Sequence, residues 1–230
     1  MTEWSPEGLD REWWLLNRPF TERENLGPAL GPPWTIRVRG SRLIVTAVHG
    51  VNHYRPGIGL KPNDANTGGL AAVLSETLNV TGAWILRADE YLPDANADGA
   101  HPFKAALIAS GAVANDSVLI DVHGMRSGRE CDITLGHGNH SGSRDVAIAM
   151  AAVLRSYKFD VDLGGRRTGL SGASPGTMSS WARQFGACAV QIEIAREWRS
   201  FRSGLDERSR LLIALLEALG GLERSAEADG

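Results

Sequence analysis

Two histidines stand at the ends of apolar, β-branched runs, and each is followed at once by glycine. Residues 42–50 read Arg-Leu-Ile-Val-Thr-Ala-Val-His-Gly, and residues 117–124 read Ser-Val-Leu-Ile-Asp-Val-His-Gly. Short runs of this kind, bounded by turn residues, are what strands covered on both faces look like. Ligands of open α/β sheets gather at the carboxyl ends of such strands. Imidazoles delivered there, each from a strand that its glycine is expected to break, suit a divalent metal. Hydrolytic zinc sites commonly take three ligands from His and carboxylate and leave a fourth position for water. His49 and His123 are the histidines best placed to serve, with one zinc ion as the expected cofactor. The third ligand must be an acidic residue able to fold back beside them. Asp64, in Pro62-Asn63-Asp64-Ala65-Asn66, opens the next helix and is preferred. Glu76, about three turns further along that helix, is the weaker alternative.

Hydrolysis at such a site also needs a group that takes a proton from water and passes it to the leaving amine. Residues 190–196, Val-Gln-Ile-Glu-Ile-Ala-Arg, supply the candidate. In a strand Val190, Ile192 and Ile194 share one face, and Gln191 and Glu193 the other. A Glu inside a core strand is costly unless it is paired, metal-linked or facing a cleft. Glu193 is therefore the expected general base, against the plainer alternative of a buried Glu held by Arg196 or Arg166. Arginines cluster where loops should meet: Arg126 just past His123, Arg166 and Arg167 in a Gly-rich loop, and Arg196 beyond Glu193. Guanidinium forks bind carboxylates bidentately, so a small substrate carrying a carboxylate is expected, with Arg126 and Arg196 the better-placed contacts and Arg166 a further one. His53 and His140 are expected to touch substrate, His137 to lie on the same rim, and His101 to open a helix.

The elements that must position these residues alternate. Thr35-Ile36-Arg37-Val38-Arg39 looks like an edge hairpin leading into the His49 strand. Helical spacing covers residues 67–79, with Leu70, Val73, Leu74 and Leu78 on one face. Strands are expected at 83–87, 131–136 and 187–194. Further helices are expected at 102–114, from a Ser143 cap to about Tyr157, at 179–185 and at 205–222. Residues 164–176 read as a Gly/Ser/Arg loop. Such alternation implies an α/β three-layer sandwich, phosphorylase/hydrolase-like, around a central mixed, mostly parallel sheet. Residues 1–33 read as an irregular Trp- and Pro-rich N-terminal arm packed on the body, 34–224 as a single α/β domain, and 225–230 as a frayed tail.

With 230 residues, 43% of them hydrophobic and 22% charged, the chain can bury one sizeable core. A formal net charge of −3, with no basic cluster, argues against a nucleic-acid partner. No apolar run is long enough to span a bilayer. The acidic start lacks a signal pattern, which predicts a cytoplasmic protein with Cys131 and Cys188 as free thiols. Nothing in the composition selects an oligomeric state.

In these motifs and their order the chain resembles the N-formylglutamate amidohydrolase family, within the zinc carboxypeptidase and aspartoacylase-like superfamily. His49-Gly50 resembles the family's first His-Ser/Gly metal motif, and Asp64 its acidic residue opening the next helix. Ile120-Asp121-Val122-His123-Gly124-Met125 resembles its Asp-Leu-His-Ser motif, and Asp132-Ile133-Thr134-Leu135-Gly136 its following strand. Gln191-Ile192-Glu193-Ile194-Ala195-Arg196 resembles its Gln-x-Glu-x-x-Arg strand. The resemblance runs from about Leu43 to Arg196. It implies a zinc-activated water attacking an amide carbonyl, with His49, Asp64 and His123 as ligands and Glu193 as base and later acid. Asp121, on the face of His123, would orient it. One departure stands out: where the family has Asp-x-Asn-Arg, this chain reads Asp94-Ala95-Asn96-Ala97. The substrate-carboxylate contact of that arginine would be lost or supplied by Arg87.

Three readings fit this sequence. The first is a zinc amidohydrolase for a small N-acyl amino acid or related amide. The second is a zinc peptidase or amidase acting on a γ-glutamyl or cell-wall peptide. The third is a non-catalytic α/β module binding a carboxylated ligand through Arg126, Arg166 and Arg196.

Overall fold

Ser5 opens the first helix of the computed structural model, which describes residues 5–55 and 57–228. Its hydroxyl accepts from the Gly8 amide at 3.1 Å, and Pro6 occupies the first helical position, where a missing N–H costs nothing. Helix α1 (Pro6–Asn25) kinks at Glu22–Glu24 and buries Leu9, Trp13, Asn17 and Phe20. The expected irregular arm is therefore a helix whose apolar stripe belongs to the core. Trp4 lies outside the described residues.

Strands β1 (Trp34–Arg37) and β2 (Leu43–Ala47) follow, then the small hairpin β3 (His53–Arg55) and β4 (Gly59–Lys61). Next come α2 (Thr67–Leu78), β5 (Thr81–Ile85), α3 (Pro102–Ala109) and β6 (Val118–Met125). The chain continues through β7 (Ile133–Gly136), α4 (Ser141–Ser156), β8 (Val161–Leu163) and α5 (Met178–Gln184). It ends with β9 (Cys188–Ala195), a 3-10 turn at Arg196–Arg199, and α6 (Leu205–Ala228). The seven-stranded sheet runs β1-β5-β2-β6-β9-β7-β8. Its centre is parallel, and only the β1–β5 and β7–β9 pairs are antiparallel. With helices on its faces this is the expected three-layer α/β sandwich with a mixed, mostly parallel sheet. Every residue of β2 and β5 is buried, as strands covered on both faces require.

Several local expectations change. β1 does not form a hairpin with β2, because β5 inserts between them. α4 is capped by His140 instead of Ser143: the His140 ring Nδ1 accepts from the Ser143 amide at 3.2 Å. α3 stops at Ala109. α6 continues to Ala228, so the tail expected to fray is helical to that point. No helix among the described residues is long and apolar enough to cross a membrane.

The first His-Gly junction lies beyond a strand end, since β2 stops at Ala47, but the second does not break its strand. β6 runs through Gly124 to Met125. A Cβ on Gly124 would lie 2.3 Å from the Arg199 guanidinium, and one on Gly50 would lie 2.9 Å from the Gly68 backbone. Both glycines make room for a neighbour packed against the strand ends.

Trp13 links this core to the strand ends. It is fully buried, its ring lies 5.2 Å from that of Phe201, and its indole N–H donates to the Asn66 carbonyl at 3.1 Å. Trp13→Ala should destabilise the protein by about 3–5 kcal/mol, the usual cost of emptying a large aromatic site. Chemical denaturation checks this. An arm merely resting on the body would leave the midpoint where it was.

Candidate metal centre

His49 follows β2 after Val48, and His123 is buried near the carboxyl end of β6, the strand beside β2. Asp64 reaches them because the chain after β4 returns to its origin: the Asp64 amide donates to the His49 carbonyl at 2.8 Å. The Asp64 carbonyl then accepts from the Thr67 amide and hydroxyl as α2 begins. Asn66, at a left-handed φ of 69°, is held by Asn17 of α1 and by the Arg199 carbonyl. The first helix therefore buttresses the Asp64 turn.

Donor atoms of His49, Asp64 and His123 lie within 4.8 Å of one another. Asp64 Oδ2 is 3.0 Å from His123 Nδ1 and 3.4 Å from His49 Nδ1. Ligands about 2.0–2.2 Å from one tetrahedral ion stand at such separations from each other. Each ring turns its other nitrogen to a buried carboxylate. His49 Nε2 meets Asp94 Oδ1 at 2.7 Å, and His123 Nε2 meets Asp121 Oδ2 at 2.7 Å. A carboxylate behind each imidazole fixes its tautomer and orientation for metal binding. The donor set thus fits a divalent ion that accepts imidazole and carboxylate. The outer carboxylates are held in turn: Thr46 Oγ1 donates to Asp121 at 2.7 Å, and Arg55 clamps Asp94 through Nε at 2.9 Å and through Nη2.

These pairings set the charges. Burial disfavours the His123 imidazolium, but Asp121 and Asp64 outweigh it and raise its pKa well above the ordinary value. The same balance, through Asp64 and Asp94, raises that of His49. Burial would raise the Asp64 carboxyl, yet its bonds to both rings hold it well below the usual carboxylate range. The protons shared between Asp64 and the two rings sit on the atoms a cation would claim.

Glu193 lies beside His123 in register on β9. It is buried, and Gln191 Nε2 donates to its Oε1 at 2.6 Å. Burial pushes its carboxyl upward, against the opposing pull of His123. His49, Asp64, His123 and Glu193 all line one open cleft of about 570 Å³, closed on another side by Gly169, Leu170 and Ser171 of the loop after β8.

The cleft also receives Arg126, whose guanidinium has no partner among the described residues, together with Lys61 and Arg129. Other expected contacts are elsewhere. Arg196 is exposed on the 3-10 turn and does not line the cleft. The strand alternation ends at Ala195, and the inward arginine is Arg199. Its guanidinium donates to the carbonyls of Ile194, Met125 and Ala65, tying together the chain beside Glu193, His123 and Asp64. Arg166 and His140 line a separate cleft at the start of α4. His53 lies behind His49, ring on ring at 3.9 Å and 7°, and lines a small neighbouring cavity instead. Its burial keeps it neutral, with a pKa lowered to about 4. Arg87 donates to the Gly31 carbonyl and sits beside Asp89, away from the cleft, so it does not replace the missing arginine. Glu76 pairs with Arg37 and Arg39, far along α2 from the histidines.

Asp94, Arg55 and Arg199 carry much of this geometry and were not singled out as site residues from the sequence. The one available signal was Asp94 itself, between Pro93 and Asn96 in the stretch that departs from the family pattern.

No family model matches this sequence, and no curated protein matches it. Solved structures do. A gene product of Agrobacterium tumefaciens superposes with a TM-score of 0.60 at 17% identity, covering 86% of this chain and 97% of that one. N-formylglutamate amidohydrolase from Ralstonia eutropha JMP134 gives 0.60 at 15% identity, covering 86% and 99%. A bacteriophage poly-γ-glutamate hydrolase gives 0.53 at 14% identity, covering 88% and 91%. The chain shares their fold. That shared architecture agrees with the resemblance seen in the motifs. At these identities the likeness concerns architecture, and the chemistry rests on the residues of this chain.

Proposed function

We propose that this protein is a zinc-dependent hydrolase that cleaves the amide bond of a small, carboxylate-bearing N-acyl amino acid. The observation that carries this reading is the convergence of His49 Nδ1, His123 Nδ1 and Asp64 Oδ2 in a cleft that also holds Glu193. One zinc ion on those three atoms suits the imidazole and carboxylate donors, and when bound it would polarise the substrate carbonyl and acidify the attacking water. Asp94 and Asp121 keep the two rings aimed. Glu193 takes the proton from the attacking water and returns it to the departing amine. Its upward-shifted carboxyl suits both halves of that task. Two of the superposing structures are named as hydrolases, one as an N-formylglutamate amidohydrolase and one as a poly-γ-glutamate hydrolase.

Arg126 is the proposed partner of the substrate carboxylate. Arg126→Ala should slow turnover of carboxylated amides by about 10–100-fold, as loss of a hydrogen bond to a charged group does, and leave neutral amides nearly unchanged. Arg196→Ala should alter neither. Equal effects of Arg126→Ala on both substrate types would make it a structural residue.

A second reading, hydrolysis of a γ-glutamyl peptide, is favoured by one feature: the cleft of about 570 Å³ has room and cations, Lys61 and Arg129, beyond the triad. The non-catalytic reading loses its footing, because Arg126, Arg166 and Arg196 do not converge. A screen of N-acyl amino acids and γ-glutamyl peptides, with and without added zinc, tests the proposal. Zinc-dependent release of free amine supports it, and the preferred substrate type selects between the two enzyme readings. No release from any compound would contradict both.

A further inference from the structure

A second cleft, of about 510 Å³, opens where β7 hands over to α4. It is lined by His137, Ser141, Arg144, Asp145, Gly164 and Arg166, and shares no residue with the cleft of the histidine-aspartate cluster. Its charge is unusual. Neither the Arg144 nor the Arg166 guanidinium has a hydrogen-bond or ion-pair partner among the described residues, and Asp145 is the lone carboxylate on the wall. Arg183, beneath the Gly138 turn, donates only to the Ala189 and Gly172 carbonyls and the Ser180 hydroxyl, so its charge too has no carboxylate partner.

Neutral polar groups point the same way. The Nδ1 atom of His137 is buried without a partner. The chain passes through consecutive left-handed residues, Gly138 and Asn139, before His140 caps the helix. That cap satisfies the Ser143 amide and leaves the amides of Ser141 and Gly142, in the first turn of a 16-residue helix, with no acceptor among the described residues. Unpaired N–H groups and the helix dipole favour negative charge there. Burial and the nearby charges of Arg144, Arg183 and Arg166 lower the pKa of His137, as a surplus of positive charge would.

We infer that this cleft binds a phosphate group, free or as a small phosphate monoester, at Arg144, Arg166, His137 and the first turn of α4. Two arginines on the wall, Arg144 and Arg166, outnumber its one carboxylate, Asp145, and Arg183 adds its charge from beneath the Gly138 turn, a field from which the charge of about −1.5 to −2 on a phosphate monoester gains more than the single charge of a carboxylate does. Guanidinium forks and main-chain amides match its oxygens. Ile148 lines the same cleft and offers an apolar surface to the organic part of an ester.

The test is calorimetric titration of the full chain with inorganic phosphate and, separately, with glycerol 3-phosphate, at fixed ionic strength. Saturable one-site binding is expected, weakened about tenfold or more by R166A and abolished by R144A/R166A. Both arginines are exposed, and the unliganded melting temperature of each variant checks its fold. D64N, which disables the histidine-aspartate cluster, should bind phosphate unchanged. In spectra of the labelled protein the Ser141 and Gly142 amides should shift on titration. Equal affinity for both probes would identify free phosphate as sufficient, and tighter binding of the ester would identify an organophosphate. The inference is overturned if neither probe saturates, if binding survives R144A/R166A, or if D64N abolishes it.

Discussion

Glu193→Gln is expected to lower turnover by about 10²–10⁴-fold, the usual contribution of a positioned acid–base group, with fold and metal content intact. The amide keeps the shape of the side chain, and its oxygen can still accept from Gln191. Burial already disfavours the charged carboxylate, so a neutral group at this position should not lower the melting temperature. What the amide cannot do is take a proton from water. Zinc content, melting temperature and rate measured on one sample separate catalysis from architecture. A destabilised variant whose folded fraction works at the normal rate would make Glu193 a structural residue.

Removing a histidine donor should act on the metal itself. His123→Ala deletes Nδ1 from the cluster and leaves Asp121 buried and unpaired by its ring. The zinc content of the purified variant should fall to background. Substituting only the supporting carboxylates should be milder. Asp121→Asn and Asp94→Asn keep both donor nitrogens in place, and such outer changes typically cost about 10–100-fold in metal affinity. Competition with a chromogenic chelator reads all three. Stoichiometric zinc retained in a His49→Ala, His123→Ala double variant would remove the assignment.

The contrast between donors and supports mirrors what the sequence makes legible. His49 and His123 could be read because each ends an apolar run whose length and β-branching identify a central strand. Glu193 could be read because strand alternation places it opposite Val190, Ile192 and Ile194. Those are local patterns with a fixed period. Asp94 has none: its partner is 45 residues away and is met only through a loop. Arg196 is the arginine nearest Glu193 in the motif, but strand periodicity cannot be extended into a 3-10 turn, where the chain changes direction and Arg199 is the one that turns inward. Arg166 and His140 stand near one another in space, but the ends of β8 and β7 carry them to a different cleft. The N-terminal helix did carry a signal. Ser5-Pro6 is a cap followed by a first-turn proline, and Leu9, Trp13 and Phe20 recur at helical spacing. The Trp- and Pro-rich composition masks that pattern, although Pro19 is tolerated within α1.

Metal, carboxylate base and amide hydrolysis meet in one measurement. Protein stripped with a chelator is titrated with zinc while release of amine from the best N-acyl amino acid in the screen is followed. The rate should rise from background in proportion to added zinc and break at one equivalent, as a single ion on His49, Asp64 and His123 requires. A stripped protein that hydrolyses the substrate at full rate, or a rate that does not respond to zinc, would contradict the account.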